Sequence, residues 1–330
     1  MNIDAAFTHF PSLATNRLFL RQIQPEDAEA LFATFSDEEV MESSQSRQGI
    51  WIGVDIGGTS TRVGVFKSHD STDFGVLAKF PTVQNYEEQL RQIVAAIQSS
   101  GREDLAGIGV SVAARIARDG RTIIFAPNLP GYIGKPFAQD LFACFACPVR
   151  LAHDTVCGLL AEKKFGALRN IDRCAYLTVS TGTGAAIQLG KASSSLTSSI
   201  EIGHQVLDGN TLTCLCGQVG CLETFTGGRQ VELRYGRPIA HITDMAFWET
   251  FADKLALGLV NLAQLTRIDA VAIGGAIALN NAFLVPMLQQ KVNALLKWGV
   301  LELRLAALGE NAPVVGAAVL LEVPENTVLH

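Results

Sequence analysis

Basic charge is scarce in this sequence: 26 lysines and arginines stand against 32 aspartates and glutamates, for a net charge of −6. Residues 1–50 hold eight of the acids and three of the bases, so the rest of the chain is close to neutral. Gripping nucleic acid requires a basic face that offsets phosphate charge, so the balance argues against that class. Long apolar runs are also missing. The longest, residues 270–279 and 314–321, fall well short of the ~20 residues that a membrane-crossing helix needs. The opening MNIDAAFTHFPSL lacks a basic stretch followed by an apolar one and a small-residue cleavage site, so a cytoplasmic chain is expected. The cysteines number seven, an odd count that argues against a disulfide framework. Neither GxxxxGK[ST] nor a helix-opening GxGxxG is present, which removes the Walker loop and the dinucleotide fingerprint.

What the sequence does have is a large apolar share, 48% of 330 residues, against 18% charged. That composition can bury a sizeable core, and the length calls for two lobes, because single cores stop growing near 250 to 300 residues. Residues 17–23 read as a strand and residues 27–35 as a helix, followed by a polar linker, ESSQSRQG, at 42–49. A second unit begins at Ile50. There IWIGVDI, a glycine turn and TRVGVF predict a hairpin of two buried strands. Further on, the pattern predicts a helix over 86–99, strands over 107–112 and 175–179, a helix over 246–265, a strand over 269–273 and a last helix around 314–321. Strands alternating with helices make this an α/β architecture.

Three glycine-rich turns follow apolar strands. In the first, Asp55 precedes Gly57, Gly58 and Thr59: the glycines let backbone amides approach a phosphate, and the carboxylate can hold a hydrated magnesium ion. The alternative is a plain strand turn. The second, STGTG at 180–184, places Thr181, Gly182 and Thr183 where hydroxyls and amides could meet phosphate oxygens. Gly274 and Gly275 form the third, suited either to passing close to a nucleobase or ribose or to a strand end with unusual dihedrals. The sharpest local pattern is His204 followed by Cys214, Cys216 and Cys221, a Cys₃His set of the kind that holds structural zinc, with free buried thiols as the alternative. Three acids lie near these features: Asp154 after the run PVRLA, Glu201 before His204, and Glu223 after Cys221. The metal loop would gather Glu201 and Glu223, and such carboxylates can accept hydrogen bonds from sugar hydroxyls while one acts as general base.

With DIGGT, PNLPGY, HDT, TVSTGTG, EIGH, CLCGQVGCLE and AIGGA in that order, residues 50–330 resemble the ROK family of bacterial sugar kinases and sugar-responsive repressors. The resemblance implies an actin-like ATPase (ribonuclease H-like) fold, two lobes around a cleft, with a short N-terminal strand and helix added. It sets the extension at 1–47, one lobe at 48–150 and the other at 151–330, with the last helix packing back on the first lobe. Residue by residue, it implies that Asp55, Gly57, Gly58 and Thr59 form the first phosphate loop, Thr181, Gly182 and Thr183 the second, and Gly274 and Gly275 the adenosine side. Asn128, Asp154, Glu201, His204 and Glu223 match positions that hold sugar hydroxyls, joined on the substrate side by Arg115, and Asp154 matches the catalytic base. His204 would put one ring nitrogen on zinc and turn the other toward the sugar. The cofactors implied are ATP, magnesium and structural zinc, and the assembly a homodimer.

The resemblance further implies phosphorylation of the 6-hydroxyl of a hexose or N-acylhexosamine. The VSTG turn, the nine residues between His204 and Cys214, and the ARDG turn lean toward N-acetylmannosamine kinases. Departures are local. His153 stands where relatives carry Asn, Thr155 and Val156 replace a small residue and Asn, and Ala113-Ala114-Arg115 replaces Gly-Gly-Arg. They point to a divergent substrate or a weakened enzyme, and keep a non-catalytic sugar sensor, a transcriptional regulator or a pseudokinase as the alternatives. Residues 10–45 resemble the start of the GNAT acetyltransferase fold without its later strands or its pyrophosphate loop, so no acetyl transfer is expected.

Overall fold

In the computed structural model the described residues are 49–67, 72–101, 104–191, 195–324 and 327–329, together with two short strands near the N-terminus. The chain divides into two compact units, Met1–Gln48 and Gly49–His330. In the first, β1 (Leu13–Ala14) pairs antiparallel with β2 (Phe19–Leu20). The rest of the GNAT-like segment, its helix included, lies outside the described residues.

The second unit contains two mixed sheets built to one plan. In the first sheet β3 (Ile50–Ile56), β4 (Ser60–Phe66) and β5 (Phe74–Pro81) run as consecutive antiparallel strands. Helix α1 (Tyr86–Gln98) then crosses to β6 (Leu105–Val112), which lies parallel to β3. A small pair, β7 (Arg115–Ile116) and β8 (Ile123–Phe125), precedes α2 (Phe137–Phe145) and β9 (Val149–His153), parallel to β6. The order is β5-β4-β3-β6-β9. The chain leaves this sheet through α3 (Asp154–Lys164).

The second sheet repeats the scheme: β10 (Cys174–Val179), β11 (Thr183–Leu189) and β12 (Leu196–Ile200) are antiparallel neighbours. After α4 (Glu223–Thr226), α5 (Gly228–Tyr235) and the long α6 (Met245–Thr266), β13 (Ala270–Gly274) returns parallel to β10. Helices α7 (Ala276–Asn280) and α8 (Leu284–Leu295) lead to β14 (Glu302–Leu305), parallel to β13. After α9 (Ala312–Leu320), the short β15 (Val328–Leu329) adds an edge beside β12. The order β14-β13-β10-β11-β12-β15 contains the same five-strand arrangement, read from its other end.

Burial explains why these runs are strands: every residue of β3 and of β13 is buried, as a central strand covered on both faces requires. Helix α9 covers the first sheet and also meets α3. The close approach depends on missing side chains, since a Cβ on Gly109 of β6 would lie 1.7 Å from the Ala317 carbonyl oxygen, and one on Gly316 would lie 1.7 Å from that of Cys157. An expected lobe boundary after residue 150 divides β9, all five residues of which pair with β6, so the first sheet runs on to His153. No helix among the described residues is long and apolar enough to cross a membrane.

Candidate active site

The strand ends of both sheets open on one cleft of about 900 Å³. Asp55, the last residue but one of β3, is 8% exposed, and its Oδ1 accepts a hydrogen bond from Ser111 Oγ at 2.9 Å. Burial pushes this carboxyl up to about 6; the Ser111 bond opposes the shift, the charge of Asp154 adds to it and Arg62 counters it. The following turn is held by Thr82, whose hydroxyl donates to the Gly57 carbonyl at 2.8 Å and whose amide donates to the Thr59 carbonyl at 3.0 Å. Gly58 lies against the Asn128 side chain, and the Asn128 carbonyl in turn accepts from Gln84 Nε2 at 3.0 Å. These bonds bring PNLPGY to the first glycine turn.

Asp154 is the first residue of α3, directly after the edge strand β9. Its Oδ1 accepts from the Thr155 amide at 2.7 Å and lies 2.8 Å from His153 Nδ1. The same Nδ1 lies 2.8 Å from Thr155 Oγ1 and 3.3 Å from the Thr155 amide, so three polar groups share it, and it donates to Asp154 when the ring is charged. Burial alone would lower the His153 pKa, but the charge and hydrogen bond of Asp154 and the charge of Glu201 outweigh it and raise the value above 6.5.

The second turn joins β10 to β11 and is stapled by the segment that follows the cysteines. The Thr183 amide donates to Glu223 Oε2 at 2.8 Å, the Gly228 amide to the Ser180 carbonyl at 2.9 Å, and the Arg229 amide to that of Thr181 at 3.0 Å. A Cβ on Gly182 would lie 2.8 Å from Glu223 Oε2, so this carboxylate and the turn require each other. Glu223, expected on sugar hydroxyls, thus has one oxygen committed to the phosphate-type turn.

His204, Cys214, Cys216 and Cys221 converge, with their donor atoms all within 4.8 Å of one another. Cys216 Sγ lies 3.7 Å from Cys221 Sγ, and His204 Nδ1 lies 3.9 Å from Cys214 Sγ. Four donors about 2.3 Å from a tetrahedral ion would stand roughly 3.8 Å apart, so the residues fit zinc. Gln218 Nε2 donates to Cys221 Sγ and Gln230 Nε2 to Cys214 Sγ, both at 3.1 Å, which suits sulfurs acting as acceptors. Burial pushes the Cys214 thiol up to about 12 and raises that of Cys221. For Cys216 burial is outweighed by the Gln218 amide and the two neighbouring thiols, and its value falls. Three thiols this close cannot all ionise without a cation among them. Zinc bound there would supply no chemistry beyond fixing the loop and the direction of the His204 ring.

Of the residues singled out from sequence, Asp55, Gly57, Gly58, Thr59, Arg115, Asn128, Asp154, Thr181, Gly182, Thr183, Glu201, His204, Glu223 and Gly275 line the cleft together. Gly274 does not. It ends β13 behind the cleft wall, where a Cβ would lie 2.5 Å from the Tyr176 hydroxyl, so it makes room for that ring. Gly275, at φ +84°, carries the turn alone. Sequence reasoning missed Ser111, Gln218, Gln230 and Arg62. The last lines the cleft opposite Asp55 and could have been found only from the hairpin register.

Two sheets of the same strand order facing a cleft, each contributing a hairpin turn to it, define the actin-like ATPase fold. Within that class the chain belongs to the ROK family, whose model matches residues 51–323. A glucokinase of Thermotoga maritima is 27% identical over 82% of this chain and 96% of its own length. An N-acetyl-D-glucosamine kinase of Citrobacter koseri is 28% identical over 69% of this chain and 84% of its own. Among solved structures, a ROK family glucokinase from Streptomyces griseus in complex with glucose and AMPPNP matches with a TM-score of 0.67 and 25% identity, covering 82% of this chain and 99% of the other.

Proposed function

We propose that this chain is an ATP-dependent sugar kinase that phosphorylates the 6-hydroxyl of a hexose or N-acylhexosamine, with Asp154 as general base. The observation that carries this reading is the shared cleft, in which Asp154, Glu201, His204 and Glu223 stand with both strand-end turns. Asn128, Arg115, Glu201, His204 and Glu223 bind and orient the sugar. The amides of residues 57–59 and 181–183 take the phosphates, and Gly275 passes beside the adenosine. Asp55 is suited to magnesium, whose charge when bound offsets that of the triphosphate.

Phosphoryl transfer asks mainly for positioning and charge neutralisation. Asp154 takes the proton of the 6-hydroxyl as that oxygen bonds to the γ-phosphorus; the bond to the β,γ-bridging oxygen breaks, and ADP leaves. His153, whose Nδ1 lies 2.8 Å from Asp154 Oδ1, fixes which carboxylate edge faces the sugar. The named activities of the relatives support the hexose and N-acetylhexosamine class. N-acetylmannosamine stands first in the panel because of the VSTG turn, the His204 to Cys214 spacing and the ARDG turn. A coupled assay with magnesium, ATP and N-acetylmannosamine, N-acetylglucosamine, glucose and mannose tests the reading. Turnover of one of them is expected, and absence of turnover with all four would leave a sugar-binding regulator in its place.

A further inference from the structure

Arg62, on the wall of the cleft, has no part in the proposed reaction. Arg62 lies on β4 directly opposite Asp55, and residues so paired in an antiparallel ladder project to the same face. The guanidinium is therefore beside the Asp55 carboxylate near the end of β3, close to the turn formed by residues 57–59. Its side chain is 14% exposed and lines the cleft, and Nε, fully buried, has no hydrogen-bond partner. The remaining nitrogens are loosely occupied. Nη1 donates to Asn311 Oδ1 at 3.2 Å, and Nη2 lies 3.4 Å from Glu310 Oε2, on a side chain 69% exposed. An ion pair of that length, with its carboxylate in water, is weak and does not explain why a guanidinium is buried here with an orphaned donor.

The chemistry that would satisfy it is an anion with several acceptor oxygens. A planar guanidinium presents parallel N–H groups that match a phosphate two at a time, and it stays charged at every working pH. The hydroxyl-binding carboxylates come from the other sheet's loops, whereas Arg62 belongs to the hairpin whose turn is read as a phosphate loop. We propose that Arg62 is a phosphate-binding residue that grips the terminal phosphates of the nucleotide from the first sheet, Glu310 giving way to them. The proposal rests on that reading of residues 57–59. It supplies a cationic side chain where the loop itself offers only amides and a threonine hydroxyl.

Calorimetric titration of the full chain with adenosine, MgADP and MgAMPPNP tests it, using wild type, Arg62→Met, Arg62→Lys and Glu310→Gln. Loss of a charge-assisted bond to phosphate predicts that Arg62→Met weakens MgAMPPNP by ~10-fold or more while adenosine stays within about twofold. Arg62→Lys should fall between, and Glu310→Gln should bind MgAMPPNP at least as tightly as wild type. If wild type binds MgAMPPNP and Arg62→Met binds it equally well, the Arg62 proposal fails alone. Equal weakening of adenosine and MgAMPPNP would make Arg62 a structural tie to residues 310–311 and overturn it likewise. Failure of wild type to bind any nucleotide would remove the phosphate-loop reading and the proposal with it. Should Arg62→Met not fold, the MgAMPPNP to adenosine ratio of Arg62→Lys decides by the same criterion.

Discussion

A carboxyl buried like that of Asp55 costs stability whenever it ionises. Its folded value of about 6 lies above the ordinary 3.8, so between those limits the native state holds the proton longer than the unfolded chain. Stability contributed by the neutral form is fully present below about 3.8 and is lost as pH rises toward 6, a loss of ~3 kcal/mol at most for a shift of this size. Asp55→Asn keeps an acceptor for Ser111 and removes the charge. Calorimetry in metal-free buffer should therefore find the variant melting higher than wild type at pH 8, no different near pH 4, and without turnover at any pH. The trade is expected of a residue kept for function.

His153 and Asp154 form the second residue-scale case. The raised His153 value means that the charged imidazole contributes stability below pH 6.5, and that this contribution fades as pH rises through the folded value. While charged, it donates to the proposed base and would make Asp154 a weaker proton acceptor. Wild-type kcat/KM should rise with pH through the His153 titration, and His153→Asn should move that acid limb to lower pH in a pH–rate profile. Asp154→Asn should keep fold and metal content yet lose ~10²-fold or more in turnover, checked by the coupled assay and by metal analysis of the same sample.

At the scale of elements, the cysteine loop between the short helix of residues 202–204 and α4 has almost no regular structure, and isolated bridges such as Val206 to Cys221 are its ladder. Elemental analysis should find one zinc per chain in the wild type and less in Cys216→Ser. On the proposed sugar roles of His204, one of the four ligands, and Glu201, three residues before it, the sugar KM should rise more than that for ATP. This set was legible in the sequence because its four ligands fall within eighteen residues, and proximity along the chain substituted for folding. The strands were legible for a related reason, as buried central strands are plain apolar runs. Arg62 and Ser111 were not, because each acquires meaning only from the residue paired beside it across a ladder. Gly274 and Gly275 look alike in the sequence, and only the fit of the Tyr176 ring tells them apart.

At the scale of the whole molecule, the repeated five-strand order was invisible in the letters. The two hairpin turns, DIGGT and STGTG, share little beyond glycine and threonine, because a fold repeats through strand order and burial. Helix α9 joins the halves: it lies between β14 and β15 of the second sheet in the chain but covers the first and rests on α3. Gly109→Ala would force a methyl onto the Ala317 carbonyl, so thermal unfolding should fall by the equivalent of ~2 kcal/mol or more, with zinc content unchanged.

The bond from the Thr183 amide to Glu223 has a thermodynamic corollary. In the proposed function this one carboxylate serves both the sugar and the turn assigned to the triphosphate, which would link the two substrates energetically. Whatever factor the sugar imposes on nucleotide affinity, the nucleotide must impose on sugar affinity, and Glu223→Gln should shrink both factors together.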